Sequence, residues 1–107
     1  MYAGSKSAVE GFTRSFAMDC GYRRITCNAI APGGIATEMF DKNAWNYIPS
    51  CGPDTPVEYV KSGLRELVPL NRIGEPSDVG KAVALLCHPD SEWINGQVIK
   101  LTGGAPA

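Results

Sequence analysis

The stretch Ile25-Thr-Cys-Asn-Ala-Ile-Ala31, which runs into Pro32-Gly33-Gly34, decides the fold class of this chain. It is a nearly continuous run of apolar and small residues that ends at turn residues. Such a run is typical of a strand buried on both faces, and hence of a parallel sheet. A second predicted strand, Gln97–Thr102, ends at Gly103-Gly104. The two runs predict an α/β protein.

The chain begins with a predicted helix at residues 2–20. Val9, Phe12 and Phe16 recur there at helical spacing, and Gly21 supplies a stop signal. A second stripe of small residues contains two glycines, each of which costs about 1 kcal/mol against alanine inside a helix. The stripe therefore indicates close approach by a neighbour, which is either the protein's own sheet or a helix of another subunit. It consists of Gly4, Ala8, Gly11 and Ser15.

The last predicted elements are a helix and a strand within residues 76–102. Pro76 suits the first position of the helix, and Asp78 suits the positive end of its dipole. The apolar stripe of this helix is predicted to be buried. It consists of Val79, Ala82, Val83 and Leu86.

A long insert at residues 38–70 separates the first strand from the last helix. It holds several prolines and aromatic residues, and insertions of this length in a compact domain are usually functional or disordered. Within it, Thr55-Pro56-Val57-Glu58 has the pattern of a capping box with proline at the first helical position. The insert is therefore expected to contain at least one short helix.

The predicted order is helix, strand, long insert, helix, strand. A strand–helix–strand unit of this kind is an element of doubly wound α/β folds. Two parallel strands alone leave unpaired edges, and parallel sheets need cover on both faces. As a free-standing domain the chain is therefore expected to be incomplete, with further sheet strands upstream.

Composition excludes several classes of function. The 107 residues are 44% hydrophobic and 20% charged, with a net charge of -1. A near-zero charge argues against binding to nucleic acid or anionic lipid, and no apolar stretch is long enough to cross a membrane. The N-terminus lacks the pattern of a secretory signal. Four scattered cysteines allow a disulfide or a zinc site in principle, but reduced thiols in the cytoplasm and no metal are preferred.

Tyr2 and Lys6 are the first candidate for chemistry. They are four residues apart on a predicted helix, so they lie on one face about one turn apart. A lysine ammonium beside a phenol favours the phenolate and lowers the tyrosine pKa from its usual value near 10. Such a pair can donate a proton to a carbonyl oxygen and take it back in the reverse reaction. Taken alone, the spacing also fits a surface tyrosine and a solvated lysine.

The loop at residues 32–37 is the second candidate. It follows the C-terminal end of a strand, where open α/β sheets bind their ligands. Its glycines allow close approach of the backbone, so main-chain groups of Ile35 can pair with a ligand, and the Thr37 hydroxyl can reach it. Taken alone, Pro32-Gly33-Gly34 also fits an ordinary turn.

These segments, in their order and spacing, resemble the C-terminal part of the short-chain dehydrogenase/reductase family across essentially the whole chain. The resemblance implies that residues 1–107 are the C-terminal part of one Rossmann-like domain with a doubly wound parallel sheet. Three further stretches carry the resemblance. Within the family the chain is most similar to the fungal polyketide and naphthol reductases. The stretches are Tyr2-Ala-Gly-Ser-Lys6, Pro69-Leu-Asn-Arg72-Ile-Gly74-Glu-Pro76 and Ile94-Asn-Gly96-Gln-Val-Ile-Lys-Leu-Thr-Gly103-Gly104.

The resemblance implies roles for individual residues. Tyr2 is expected to be the general acid/base, and Lys6 its partner, which also holds the nicotinamide ribose. Further cofactor contacts are expected from Pro32, Gly33, Ile35 and Thr37. The insert is expected to be a substrate lid, in which an apolar pocket is lined by Met39, Phe40 and Tyr47. Phe40 and Trp45 fit equally well with closing a small core of the insert itself.

Two positions depart from the family pattern. Leu67 stands where the naphthol reductases would have tryptophan, so substrate identity is not carried across. Thr102 replaces the aspartate of a common Asp-Gly-Gly stretch, which puts a local loop contact in doubt.

The resemblance predicts an oxidoreductase that uses NADP(H), with NAD(H) not excluded, to reduce a ketone of an aromatic polyketide or a similar secondary metabolite. The full-length form is expected to be a homo-oligomer. The family's glycine-rich phosphate turn and catalytic serine do not occur in this chain, so the 107 residues alone are expected to be inactive. The alternative is a truncated, non-catalytic paralogue that only associates with a full-length reductase.

Overall fold

Two short parallel strands form the sheet, β1 (Ala29–Pro32) and β2 (Val98–Leu101). The Ala29 N–H donates to the Gln97 carbonyl and the Gly33 N–H to the Leu101 carbonyl, both at 2.8 Å. From the first of these bonds to the second, the residue number rises by four on each strand. The strands are therefore parallel, as predicted. The computed structural model describes residues 2–106, and it describes the side chains of all of these except Tyr2 and Met39.

Both strands are shorter than predicted. Before β1, which begins at Ala29 instead of Ile25, the side chains of two asparagines take up several of the backbone groups. The Asn28 amide donates to the Ile94 carbonyl and accepts from the Gln97 N–H, each at 3.1 Å. The Cys27 N–H donates to the Asn95 side chain at 2.9 Å. These side chains satisfy backbone groups that strand pairing would otherwise use.

The two longest helices have the predicted positions. The first spans residues 2–20 and the last begins at Pro76, as their stop and start signals indicate. Within the described residues, no helix has both the length and the hydropathy needed to cross a membrane. The helices are α1 (Tyr2–Cys20), α2 (Glu38–Asn43), α3 (Val57–Leu67) and α4 (Pro76–Cys87), with 3₁₀ turns at Gly21–Arg23, Ala44–Tyr47 and Pro89–Ser91.

The capping box predicted for α3 is wrong. Pro56 has φ −55° and ψ 135°, so it is the N-cap rather than the first helical residue. Its carbonyl accepts from the Tyr59 and Val60 N–H groups at 3.1 and 3.2 Å. The Thr55 hydroxyl does not cap the helix, because it accepts from the Gly52 N–H at 2.8 Å.

The chain divides into two compact units, and the first contains residues up to Ala31 and Lys81–Lys100. There, α1 packs through Thr13 and Ala17, each 4% exposed, and a Cβ on Gly96 would lie 3.4 Å from the Ala17 Cβ. By contrast, the predicted apolar face of α1 is exposed, with the Phe12 and Phe16 rings stacked at 5.6 Å. The face of α1 that this unit buries is therefore one of small side chains.

The predicted buried stripe of α4 is also wrong within the described residues. Val79, Ala82 and Leu86 are half-buried, and Val83 is 42% exposed. No residue of α4 is fully buried by the part of the chain that the structure describes. The helical pattern identified the apolar face of α4, and residues 2–106 cover that face only in part.

The second unit contains Pro32–Gly80 and the residues from Leu101 onward. Its insert has a small core of its own, in which Val60 on α3 is 2% and Ala44 is 1% exposed. Lys61 of α3 pairs with Asp41 of α2 at 3.0 Å. The insert is therefore built of helices that pack on one another.

Candidate functional site

The loop at residues 32–37 continues directly from the C-terminal end of β1 and is held by a second segment of the same unit. Ile35 and Gly74 form an isolated parallel bridge. The Gly74 N–H donates to the Gly34 carbonyl at 3.0 Å, and the Ala36 N–H donates to the Gly74 carbonyl at 2.7 Å. Both backbone groups of Gly74 are thus used to hold the loop.

The backbone of Ile35 points away from that bridge. In a parallel bridge the hydrogen bonds are made by the neighbours of the central residue, here Gly34 and Ala36. The Ile35 carbonyl accepts from the Thr37 N–H at 2.8 Å, whereas the Ile35 N–H makes no hydrogen bond within the described residues. This N–H is a donor that a ligand carbonyl could satisfy.

Thr37 is the N-cap of α2. Its backbone is extended, with φ −119° and ψ 168°, and its hydroxyl oxygen accepts from the Phe40 N–H at 3.2 Å. A hydroxyl that accepts one hydrogen bond still has its own proton to donate. The side chain is exposed, so this proton can be donated to a ligand.

The glycines of the loop are needed for contacts that the sequence did not reveal. A Cβ on Gly33 would lie 3.3 Å from the Thr102 methyl group, and one on Gly34 would lie 3.3 Å from the Phe40 ring. The close approach expected at these glycines is therefore made, at least in part, to the chain's own atoms. Pro32 is the last residue of β1 and is exposed.

Thr102, which departs from the family's aspartate, makes a local contact in the turn that follows β2. Its hydroxyl oxygen accepts from the Gly104 N–H at 3.3 Å. Gly103 and Gly104 both have positive φ, at 64° and 94°, so the turn requires residues without a Cβ. Thr102 therefore supplies a hydrogen-bond acceptor to this turn.

The predicted substrate residues differ in their placement. The half-buried Phe40 lies against the loop at Gly34. Tyr47 ends a 3₁₀ turn and is 67% exposed. The side chain of Met39 lies outside the described residues. The structure thus brings one of the three to the loop, and their role in binding substrate stays a prediction.

Tyr2 and Lys6 both lie in the first turns of α1, one helical turn apart along its axis. Lys6 is exposed, and the side chain of Tyr2 lies outside the described residues. The helix belongs to the first unit and the loop to the second. The catalytic roles of the two residues therefore stay a prediction.

Sequence reasoning missed an ion pair that surrounds Gly74. Two nitrogens of the Arg72 guanidinium donate hydrogen bonds to the two carboxylate oxygens of Asp78, at 2.7 and 2.8 Å. The Glu75 N–H donates to the same carboxylate at 2.7 Å. The hydrogen bonds that the Arg72 guanidinium donates to Asp78, and then the negative charge of Asp78, raise the pKa of Arg72. The signal was the pair of opposite charges on either side of a glycine–proline turn.

No cluster of three or more metal-ligating side chains occurs among the residues that the structure describes. The four cysteines are unpaired thiols, and Cys87 is the exposed one. The groups that the described residues bring to the loop are backbone amides, the Thr37 hydroxyl and the Phe40 ring.

The chain is similar to proteins of known family. A family model described as enoyl-(acyl carrier protein) reductase matches residues 1–106. The hydroxynaphthalene reductase-like protein of Metarhizium brunneum is 61% identical over 105 residues, which are 98% of this chain and 39% of that protein. The tetrahydroxynaphthalene reductase of Pestalotiopsis fici is 57% identical over 104 residues, which are 97% and 38% of the two chains.

The fold is also similar to that of solved structures. A short-chain dehydrogenase family protein from Francisella tularensis is 26% identical, with a TM-score of 0.80, over 96% of this chain and 42% of that one. The predicted fold class is thus confirmed: the chain is part of a Rossmann-like α/β fold. The chain spans about 39% of the length of the Metarhizium brunneum relative.

Proposed function

This chain belongs to the short-chain dehydrogenase/reductase family, and we propose on that premise that it supplies the catalytic helix and cofactor loop of a nicotinamide-dependent reductase. The proposed substrate is a ketone of an aromatic polyketide or a similar secondary metabolite. The names of the two fungal relatives, both hydroxynaphthalene reductases or like them, support this class of substrate.

The Ile35 N–H is the observation that carries the proposal. It lies at the C-terminal end of a parallel strand, where ligands bind in this class of fold, and it lacks an acceptor within the described residues. A nicotinamide carboxamide has a carbonyl oxygen that would satisfy it. The Thr37 hydroxyl would donate a second hydrogen bond, while Pro32 and Gly33 shape the backbone around it.

NADP(H) is the proposed cofactor, and NAD(H) is the alternative. When bound, the cofactor supplies or accepts the hydride. The Tyr2 hydroxyl would donate a proton to the substrate carbonyl oxygen, and Lys6 would stabilise the resulting phenolate and hold the ribose hydroxyls. Met39, Phe40 and Tyr47 would give the substrate an apolar surface.

A hybrid protein provides the test of this function. Residues 2–106 would replace the matching region of the Metarhizium relative, which is 61% identical over that region. In the hybrid, Tyr2→Phe should lower turnover by about 10²- to 10⁴-fold, the usual contribution of a general acid, and leave cofactor affinity nearly unchanged.

Tyr22→Phe is the matched control, because Tyr22 is a 78% exposed tyrosine that pairs with the neighbouring Arg23. It should leave turnover unchanged. A Tyr2→Phe hybrid with normal turnover would show that another group donates the proton.

The exposed apolar face of α1 favours the second candidate, a chain that only associates with a full-length reductase. Val9 and Phe12 are 56% and 66% exposed. Titrating the 107-residue chain with NADPH and with a full-length relative separates the two. Binding to the relative without binding to NADPH supports association, whereas tight NADPH binding by the chain alone contradicts our prediction that it is incomplete.

A further inference from the structure

The segment between Arg72 and Asp78 is closed into a tight turn by one carboxylate. Both oxygens of Asp78 accept from the Arg72 guanidinium, in the two-pronged geometry that fixes both partners. The same carboxylate accepts from the Glu75 N–H, and the Asp78 N–H donates back to the Glu75 carbonyl at 2.9 Å. The turn is therefore fixed at both of its ends.

Gly74 lies at the middle of this turn and is tied to the candidate cofactor loop. Its N–H and carbonyl are bonded to Gly34 and Ala36, on either side of Ile35. The approach is close, since a Cβ on Gly74 would lie 2.6 Å from the Ile35 Cδ1 and 3.2 Å from the Gly34 oxygen. The position of the Ile35 N–H therefore depends on the position of the turn.

The ion pair is partly exposed to solvent, so its effect on the turn can be distinguished from a contribution to the stability of the whole domain. The Arg72 and Asp78 side chains are 53% and 29% exposed, and exposed ion pairs contribute little to global stability. Their effect is concentrated on the turn that they close. A second exposed pair, Arg24 and Glu92 at 2.7 Å, lies in the other unit and serves as a comparison.

We propose that Arg72 and Asp78 are a positioning pair, which holds the Gly74 turn and thereby sets the backbone of the cofactor loop and its affinity for the nicotinamide. The proposal rests on the proposed function. It concerns residues that neither touch the substrate nor take part in proton transfer.

Amide hydrogen exchange in the 107-residue chain tests the structural half. Loss of the pair should raise the local opening of the turn, and the Ala36 and Gly74 amides report that opening. We expect exchange at both amides to be about tenfold faster in Asp78→Ala and about threefold faster in Arg72→Ala, because the aspartate variant also loses the bond from Glu75. Arg24→Gln should change neither amide.

The double variant sharpens this test. If the two residues act through one contact, Arg72→Ala with Asp78→Ala should match Asp78→Ala alone. Multiplicative effects, unchanged exchange in Asp78→Ala, or amides already unprotected in the parent chain would each overturn the proposal.

Steady-state kinetics of the hybrid protein test the functional half. Asp78→Ala should raise the KM for NADPH about tenfold and leave the KM for the ketone unchanged, and Asp78→Asn should have a smaller effect because it keeps an acceptor for Glu75. A merely structural role would lower the active fraction without changing either KM. If the parent hybrid lacks turnover, the proposed function fails, while hydrogen exchange in the chain still decides whether the pair holds the turn.

Discussion

Adding one methyl group at residue 74 should displace the candidate cofactor loop, because the methyl group would clash with atoms of that loop. In Gly74→Ala the new Cβ would lie 2.6 Å from the Ile35 Cδ1 and 3.2 Å from the Gly34 oxygen. The Ile35 methyl group ends a side chain, so a shifted rotamer can move it at about 0.5–1.5 kcal/mol. The Gly34 oxygen cannot retreat freely, because it accepts from the residue 74 N–H at 3.0 Å.

The net cost follows from these contacts. Overpacking of this kind costs about 1–3 kcal/mol, and the loss of glycine freedom in the unfolded chain offsets about 0.4–1 kcal/mol of it. We therefore expect Gly74→Ala to lower the free energy of unfolding by about 1–2 kcal/mol. Urea denaturation of the hybrid protein measures this change in the free energy of unfolding. The dependence of that free energy on urea concentration should be the same in the variant and the parent.

Gly80→Ala is the matched control. Gly80 lies in α4, and no heavy atom of the described residues would come within 4 Å of its Cβ. Alanine is favoured over glycine in a helix by about 1 kcal/mol, so this variant should be more stable than the parent. If both variants gain stability equally, the close approach of Gly74 to the loop is refuted.

Substitutions at three further positions test other contacts. Thr37→Val should lower the free energy of unfolding by about 1 kcal/mol by removing the cap of α2, while Thr37→Ser should preserve it; equal losses in urea denaturation would contradict the cap. Asn28→Ala should cost about 2 kcal/mol, because it leaves the Ile94 carbonyl and the Gln97 N–H without their partner, and a neutral result would mean that water replaces the amide. Phe12→Glu, on the exposed face of α1, should dissociate the hybrid in sedimentation velocity if that face joins subunits, and an unchanged oligomer would place the subunit contact elsewhere.

Local signals determined the elements that the sequence predicted well. The stop at Gly21 and the start at Pro76 depend on neighbouring residues, and both helices have the predicted limits. The spacing of Tyr2 and Lys6 likewise needs only a continuous helix. These features were predictable because the residues that cause them are adjacent in the sequence.

The wrong predictions depend on competing partners. The hydroxyl of Thr55 had two possible donors, and it accepts from the Gly52 N–H instead of capping α3. The first strand begins late because Asn28 binds backbone groups of Ile94 and Gln97, far along the chain. A pattern in one segment cannot predict which of two donors wins, or which distant backbone group an amide will reach.

The cofactor loop shows what such distant contacts achieve. Its glycines approach Thr102 and Phe40, and its backbone is held by Gly74. All three residues belong to the same compact unit as the loop, so contacts within that unit hold the shape of the loop. The faces of α1 and α4 are the opposite case, because residues 2–106 do not cover them fully. The contacts that shape the loop are therefore accounted for within residues 2–106, whereas the full cover of these two helix faces is not.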